Sequence, residues 1–290
     1  MSDQTISIRS IAVAAHPQVS EAIEESIQIS TLLEENGVAS AYGLLYDESL
    51  RQRVKAGEFD LLIALGGDGT MLRAGHLCGP SDVPILGINL GHFGFLTEVK
   101  KEQWREMIPL LLAGKFWLER RMMLTAEQWR AGDRLGTWEV LNEAVVSRGQ
   151  IVRPVQLTAN VDGRYLTTYV ADALIAATAT GSTAYALAAG GPILPPELRT
   201  ILLVAVAPHL SIDRAIVLAE GSSVSIIVHS DQQAVLSVDG QVPVGLADGD
   251  RIEVRASSHS VKFIRFQDPG YFYRNLTAHM NQNPSAGNHR

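Results

Sequence analysis

A short apolar run that ends in a glycine-rich turn is the sequence feature that most constrains the fold. Residues 61–65 read LLIAL, and GGDGT follows at 66–70. Five apolar residues in a row that stop at glycines are typical of a strand buried on both faces of a sheet. The residues that follow, MLRAG, can continue as a helix. The segment therefore predicts a buried strand, a tight turn and the start of a helix.

The first third of the chain repeats this alternation of strand and helix. Residues 19–37 carry apolar side chains at roughly helical spacing and stop at Gly37, a suitable C-cap. Continuous apolar runs separated by helices predict a parallel sheet covered on both faces, here a Rossmann-like α/β domain. Ligands of such sheets bind beyond the carboxyl ends of the strands, which is where GGDGT falls. The predicted strands lie within segments 7–17, 38–46, 59–67 and 83–89.

After about residue 116 the sequence becomes rich in short, β-branched segments, so the predicted fold class is α/β plus all-β. We expect an α/β domain over 1–116 and a largely antiparallel, β-rich domain over 117–265. The stretch PGYFYRNLTAHM is predicted to be a helix that returns to the first domain, which residues of about 266–290 therefore join. The polar end, 281–290, is expected to fray. Turns between strands are predicted at Asp162-Gly163, Asp239-Gly240 and Asp248-Gly249.

Composition narrows the functional classes. A net charge of −7 argues against a general affinity for nucleic acid or anionic membranes. The chain has no run of about 18 apolar residues, and its N-terminal apolar run is too short for a signal peptide, so we expect a cytoplasmic protein. Its single cysteine, Cys78, excludes an internal disulfide and a thiolate metal cluster.

The GGDGT turn combines two features that oppose each other. Backbone N–H groups of a glycine-rich turn at a helix start attract phosphate, whereas the carboxylate of Asp68 repels it. A metal ion that bridges the two would reconcile them, and so would a carboxylate that acts as base toward a nucleophilic hydroxyl. The alternative is a turn in which Asp68 only hydrogen-bonds its own backbone. The segment lacks the ending of a Walker A loop and the spacing of GxGxxG.

A second loop also has the composition of a binding site. Residues 172–192 read DALIAATATGSTAYALAAGGP. Small residues let a flat ligand lie against backbone, hydroxyls supply hydrogen bonds, and Tyr185 offers a stacking face. A tightly packed helix would show the same alanines, so this loop alone leaves both interpretations open. The hydroxyls belong to Thr178, Thr180, Ser182 and Thr183.

Taken together, the motifs resemble those of the NAD kinases, in the order of that family and over roughly residues 60–275. GGDG alone also marks diacylglycerol kinases and phosphofructokinases, whereas the ordered series is specific. The matching segments are GGDGT (66–70), GINLGHFGFL (87–96), GKFWLERRMML (114–124), LNEAVVSRG (141–149), DALI to GGPIL (172–194), APHLSIDR (207–214) and SVDGQ (237–241).

The resemblance implies phosphorylation of the adenosine ribose 2′-hydroxyl of NAD, giving NADP. It implies ATP, or polyphosphate, as phosphoryl donor and Mg²⁺ or another divalent metal as cofactor. It also implies a homodimer or homotetramer, with no nucleic-acid or membrane partner. No residue is assigned as a metal ligand, because the metal is expected mainly on the donor phosphates.

Matching positions in the family imply the site residues. Asp68 matches the general base, and the Asn142-Glu143 pair matches residues that hold NAD. Asp172 matches the aspartate that faces the nicotinamide half. Further nucleotide-binding positions implied by the resemblance are Gly67, Gly69, Arg73, Arg153, Thr183, Ala184, Tyr185, Ala188 and Gln241.

The chain departs from the family pattern at three places. Ala173 and Ala179 stand where glycine and proline are common, which puts the resting shape of the second loop in question. Ala215 stands where proline usually follows the arginine of APHLSIDR.

Two other functions stay open. A lipid or sphingoid-base kinase would need a large apolar pocket in the second domain, and a non-catalytic NADP(H) sensor would be favoured by loss of Asp68.

Overall fold

The computed structural model describes residues 8–91, 94–151, 153–209, 212–229 and 233–281. The chain divides into two compact units, Met1–Arg120 with Ser260–Arg290 and Arg121–His259. It passes from the first unit to the second within strand β6 (Trp117–Arg130) and returns within β17 (Arg251–Arg265). The domain boundaries expected from the sequence, at residues 116/117 and about 265/266, remain a prediction.

The first unit is built on a parallel sheet with the order β2-β1-β3-β4, and a short β5 pairs with the end of β4. Strands β3 and β4 are buried along their whole length, which confirms the predicted α/β class. The chain runs from β1 outward to β2 and then crosses to β3 on the other side of β1. The carboxyl ends of β1 and β3 therefore flank the switch point of the sheet, where ligands of such folds bind. The strands are β1 (Ser10–Ala15), β2 (Ala39–Leu44), β3 (Leu61–Leu65), β4 (Ile85–Asn89) and β5 (Val99–Lys100).

Helices cover this sheet and complete its core. The first helix ends at Glu35, and Gly37 adopts the left-handed conformation (φ 77°) expected after a helix C-terminus. Apolar side chains of the sheet pack against Ile29 and Leu33 of that helix and against Trp104 and Ile108. The helices are α1 (Ser20–Glu35), α2 (Glu48–Lys55), α3 (Asp68–Cys78), α4 (Trp104–Leu112) and, after the second unit, α6 (Tyr271–Asn281).

The second unit is β-rich and antiparallel, as predicted. One sheet has the order β13-β12-β11-β8-β15-β16, and strands β10, β9, β14 and β17 pair in that order, with β6 paired to β7. One apolar cluster contains buried residues from strands of both pairing sets. The remaining elements are β7 (Asp133–Val140), β8 (Glu143–Arg148), β9 (Val155–Val161), β10 (Arg164–Ala171), β11 (Ala173–Ala177), α5 (Tyr185–Ala188), β12 (Thr200–Val206), β13 (Ile216–Ala219), β14 (Ser223–His229), β15 (Ala234–Val238) and β16 (Val244–Leu246).

Asp-Gly pairs form the predicted turns. Both residues of Asp162-Gly163 and of Asp239-Gly240 have positive φ, whereas only Gly249 of the third pair does. Two successive positive φ angles match the twist of a tight antiparallel hairpin.

The predicted C-terminal helix is present as α6 and belongs to the first unit. Within the described part of the chain, every helix is too short or too polar to cross a membrane. Parts of three sequence predictions lie outside the described residues: His92 and Phe93 of GINLGHFGFL, Leu210 and Ser211 of APHLSIDR, and the end of the polar tail, 282–290.

Candidate active site

The GGDGT turn joins β3 to α3, and its three glycines differ in what they do. Gly66 has φ 152°, and a Cβ there would lie 2.2 Å from Oγ1 of Thr70, so the fold itself requires glycine. A Cβ on Gly67 or Gly69 would meet no atom of the chain within 4 Å, and neither residue needs a left-handed φ. Packing therefore accounts for the first glycine only. The other two leave open space around the start of α3.

Asp68 is the first residue of α3, and backbone groups fix its carboxylate. The N–H of Phe95 donates to Oδ2 (2.8 Å), and the N–H of Leu96 donates to Oδ1 (3.0 Å). A Cβ on Gly94 would lie 2.1 Å from Oδ1, so glycine lets the turn approach the carboxylate. Since these partners lie 27 and 28 residues away, the alternative of a purely local Asp68 turn is wrong. Each carboxylate oxygen keeps a further lone pair for a ligand.

The turn that holds Asp68 is anchored at the end of β4. Asn89 accepts a hydrogen bond from the N–H of Gly91 (2.6 Å) and donates to Oγ1 of Thr97 (3.4 Å). The same Thr97 oxygen accepts from the N–H of Gly94 (3.3 Å). The amide of Asn89 thus ties both ends of the segment that presents its N–H groups to Asp68.

Positive charge lies near the same edge of the sheet. Arg73 is exposed on α3, and its guanidinium lies 5.4 Å from the ring centre of Tyr46, which follows β2. His16 follows β1, and its pKa is lowered by burial and then by the charge of Arg73. The Arg73 charge and the N-terminus of α3 favour an anionic ligand at this edge of the sheet.

In the second unit, the Asn142-Glu143 turn is held by a carboxylate that the sequence did not single out. The buried Asp239 accepts hydrogen bonds from the N–H groups of Leu141 (2.7 Å), Asn142 (2.8 Å) and Glu143 (2.8 Å). The Asp239 N–H donates in return to the carbonyl of Glu143 (3.0 Å). The SVDGQ motif therefore contributes a structural carboxylate, and its only sequence signal is an Asp-Gly pair like that of any hairpin turn.

The second predicted loop packs directly onto that turn. Thr178 donates from its hydroxyl to the carbonyl of Leu141 (2.6 Å) and from its N–H to the carbonyl of Asn142 (2.8 Å). A Cβ on Gly181 would lie 2.2 Å from the Asn142 carbonyl oxygen, so only glycine allows this approach. The structure thus brings together the two segments of the second unit that the sequence assigned to NAD.

The hydroxyls of this loop serve the fold more than the sequence suggested. Ser182 is fully buried, donates to the Ala179 carbonyl (2.7 Å) and accepts from the N–H of Leu194 (2.9 Å). Thr180 is buried and accepts from the guanidinium of Arg121 (3.1 Å). With Thr178, three of the four hydroxyls are turned inward. The residues left at the surface are Thr183 and Ala184, which are half-buried, and Tyr185 and Ala188, which are exposed.

The other predicted positions differ in their surroundings. Asp172 forms an ion pair with Arg148 (3.0 Å), and Gln241 is exposed just after the Asp239-Gly240 turn. Arg153 is also exposed, and its N–H donates to the Ile151 carbonyl (2.9 Å). In the described part of the chain, no hydrogen bond or ion pair joins the Arg153 side chain to another predicted site residue.

Glu143 carries the largest electrostatic perturbation of these residues. Its side chain is buried, and Oε2 has no hydrogen-bond partner among the described residues. Burial, and next the negative charge of Asp239, raise its pKa to about 8. A buried carboxyl oxygen without a partner is a group that a hydroxyl or amine of a ligand can satisfy.

Among the described residues, no cluster of metal-ligating side chains is found. No group of three His, Cys, Asp or Glu side chains among them is arranged to hold a metal ion. Mg²⁺ in phosphoryl-transfer sites is commonly bound through one or two carboxylates together with substrate phosphates.

Glu143→Gln is expected to remove a pH dependence of stability. Because the folded-state pKa of about 8 exceeds the ordinary 4.5, the unfolded chain loses this proton first as pH rises. The contribution of Glu143 to the free energy of unfolding therefore falls between these two values and is level outside them. Denaturant unfolding should show the variant more stable than wild type by about 3–5 kcal/mol at about pH 9 and equal at about pH 4. The control is Glu253→Gln, which changes a half-buried carboxylate paired with Arg251; the same pH profile in both variants would contradict the assignment to Glu143.

Comparisons with known proteins identify the family. Residues 11–116 match the ATP-NAD kinase N-terminal domain, and residues 141–266 match the ATP-NAD kinase C-terminal domain. An NAD kinase of Chloroflexus aggregans is 38% identical over 93% of this chain and 98% of its own, and one of Citrifermentans bemidjiense is 40% identical over 78% and 79%.

Solved structures of the family share the fold. The yeast NADH kinase complexed with NADH superposes with a TM-score of 0.83 at 24% identity, over 95% of this chain and 88% of its own. An NAD kinase from Archaeoglobus fulgidus in complex with ATP gives 0.74 at 26% identity, over 94% and 99%. With both domain families matched in order and relatives similar over nearly the whole length, the chain belongs to the NAD kinase family.

Proposed function

We propose that this member of the NAD kinase family transfers a phosphoryl group from ATP to the 2′-hydroxyl of the adenosine ribose of NAD, with Asp68 as general base. The observation that carries the proposal is the geometry of Asp68. Its carboxylate is fixed by two backbone N–H groups at the start of α3, next to two glycines that leave open space. This arrangement lies at the switch point of a parallel sheet, where ligands of such folds bind.

Asp68 would act on the proton of the attacking hydroxyl. A ribose hydroxyl is a weak nucleophile at neutral pH, and a carboxylate within hydrogen-bond reach takes its proton as the bond to phosphorus forms. The bond between the transferred phosphorus and the donor oxygen breaks in the same displacement. The base contributes about 10²–10⁴-fold to such a reaction, and positioning and charge stabilisation contribute most of the remainder.

Charge at the transferred group would be balanced from two sides. The N-terminus of α3, at Asp68, and the guanidinium of Arg73 on the same helix supply positive charge. A divalent cation on the donor phosphates, Mg²⁺ in the simplest case, would neutralise phosphate charge when bound. The relative from Archaeoglobus fulgidus was solved in complex with ATP, which supports ATP as donor; polyphosphate as a further donor stays a prediction.

The NAD-binding residues would come from the segments that Asp239 and Thr178 hold in place. Asn142 and Glu143 would bind the ribose hydroxyls and the adenine edge, and the buried Oε2 of Glu143 supplies an unpartnered polar atom for such a hydroxyl. Tyr185 would offer its exposed ring to the dinucleotide, and Asp172 would face its nicotinamide half. The remaining proposed contacts are Gly67, Gly69, Arg153, Thr183, Ala184, Ala188 and Gln241.

Assembly into a homodimer or homotetramer and a cytoplasmic location are proposed on the family resemblance.

Asp68→Asn tests the proposed base. The asparagine keeps the shape but removes the proton acceptor, so kcat should fall about 10²-fold or more. NAD affinity measured by calorimetry should stay within about tenfold of wild type, because the NAD contacts are proposed to lie mainly elsewhere.

The structure adds a necessary control to this test. The N–H groups of Phe95 and Leu96 donate to different oxygens of Asp68, and asparagine replaces one of these with an NH₂ group, so one N–H loses its acceptor at a cost of about 1–3 kcal/mol. Melting temperature must therefore show that the variant is folded at the assay temperature. A folded variant that turns over at nearly the wild-type rate would reduce Asp68 to a structural residue.

Asn142→Ala tests the proposed NAD contact. A buried hydrogen bond lost on one side costs about 1–3 kcal/mol, so KM for NAD should rise roughly 5- to 150-fold while KM for the donor changes little. Asn160→Ala on β9 makes the same chemical change in the same unit and should leave both values unaltered. Unchanged NAD kinetics in folded Asn142→Ala would remove the pair from the site.

Chelation tests the metal. Excess EDTA should abolish turnover and leave the melting temperature unchanged, because the cation is expected on the donor phosphates and not in the fold. Full activity in EDTA, or unfolding of the protein by it, would contradict this assignment.

A further inference from the structure

A buried ionic cluster in the first unit lies directly behind the turn that holds Asp68. Arg265 is fully buried, and its guanidinium donates to Glu119 (2.9 Å) and Glu98 (3.1 Å), both also buried. The Tyr271 hydroxyl donates to the second oxygen of Glu119 (2.8 Å), and its ring centre lies 4.9 Å from the guanidinium. We call these four residues the arginine cluster.

The arginine cluster reaches the Asp68 turn through backbone carbonyls. Nη1 of Arg265 donates to the carbonyl oxygens of Thr97 (3.2 Å) and Leu96 (3.4 Å). The N–H of that same Leu96 donates to Oδ1 of Asp68 (3.0 Å). Residue Leu96 therefore connects the two groups, with its N–H on the carboxylate and its carbonyl on the guanidinium.

The chain segment after β17 completes the cluster. The N–H groups of Phe266 (2.8 Å) and Gln267 (3.1 Å) donate to the second oxygen of Glu98. Tyr271, the first residue of α6, brings the helix onto Glu119. Arg265 and the backbone of residues 266–267 thus join the C-terminal segment to residues 96–98, and Tyr271 joins α6 to Glu119.

Stability alone does not account for such an arrangement. Taking a guanidinium and two carboxylates out of water carries a large desolvation penalty, and well-packed apolar residues of the same volume often serve a fold equally well. Burial by itself would lower the pKa of Arg265, but the charges of Glu119 and Glu98 raise it above its ordinary value, so the group stays charged. The planar Arg265 guanidinium, held by its two carboxylate partners, does fix the direction of the backbone carbonyls to which it donates.

We propose that Arg265, with Glu98, Glu119 and Tyr271, is a positioning device for Asp68. The cluster sets the orientation of the Leu96 peptide and thereby the direction of the carboxylate that this peptide binds. The inference rests on the proposed role of Asp68 as base. A displacement of about 1 Å at a reacting group lowers the rate by up to about 10²-fold, so the cluster should influence kcat far more than substrate binding.

Two substitutions of different severity test the proposal. Arg265→Lys keeps the charge and loses the planar fork, and kcat should fall about tenfold or more while KM for NAD stays within about threefold. Tyr271→Phe removes one hydroxyl and keeps the ring, and kcat should fall about two- to fivefold. Tyr271→Phe decides the question if Arg265→Lys does not fold.

Asp250→Asn provides the matched control. Asp250 is fully buried in the second unit and accepts from Arg130 (2.7 Å) and Gln128 (2.9 Å), in a network remote in sequence from the Asp68 turn. At a temperature where all variants are folded, this control should lower the melting temperature without lowering kcat. An equal loss of kcat in the control would assign the effect to general destabilisation and overturn the proposal.

Amide hydrogen exchange gives a readout that does not depend on catalysis. Exchange at 95–97 should accelerate in Arg265→Lys and Tyr271→Phe and stay at the wild-type rate in Asp250→Asn. Unchanged exchange and kcat in the folded cluster variants would overturn the proposal. If Asp68 is not the base, Asp68→Asn will turn over at nearly the wild-type rate, which is a separate result. The exchange data would then still show whether the arginine cluster orders residues 95–97.

Discussion

Carboxylates that accept backbone N–H groups hold the loops on which the proposed chemistry depends. Asp68 binds two N–H groups of the turn before β5, and Asp239 binds three of the Asn142-Glu143 turn. Glu98 binds two at the end of β17, and Asp60 binds two at the start of β1. Loop N–H groups have no ladder partner, and a charged acceptor satisfies several of them with strong hydrogen bonds. Asp60 shows the electrostatic effect, since its pKa is lowered by these bonds although burial alone would raise it.

The sequence predicts the first unit well because each of its signals is local. The LLIAL run, the glycines after it and the Gly37 terminus report the conformation of their own segment, and the structure confirms all three. The hydrogen-bond partners of Asp68 are not local in sequence, and the sequence does not predict them. A carboxylate that binds backbone N–H groups 27 and 28 residues away leaves little trace in the sequence, because every residue type except proline supplies an N–H group. The only mark is Gly94, whose missing side chain makes sense once the carboxylate is known to lie against it.

In the second unit, the sequence identifies the right segments but not the direction of their side chains. Thr178 and Ser182 turn inward to bind carbonyls and N–H groups, and a row of hydroxyls looks the same in sequence whichever way it points. The structure also accounts for Ala173 and Ala179, which stand where the family commonly has glycine and proline. Both alanines are buried in one apolar cluster. The Ala179 carbonyl accepts from the hydroxyl and the N–H of Ser182 (2.7 and 3.3 Å), so hydrogen bonds shape the loop without a proline.

Two neighbouring carboxylates of the second unit show how environment divides their roles. Asp239 accepts three backbone N–H groups, and its charge is used to hold the turn. Glu143 lies in that turn with one oxygen unpartnered among the described residues, and burial and the Asp239 charge keep it protonated near neutral pH. The residue that the fold satisfies is therefore structural, and the one that the fold leaves unsatisfied is suited to a ligand. The same reasoning separates Gly66, which packing requires, from Gly67 and Gly69, which it does not. Gly67, Gly69 and Oε2 of Glu143 are therefore the groups that the fold leaves available to substrate, whereas Asp68 serves the fold with two hydrogen bonds and keeps lone pairs for a ligand.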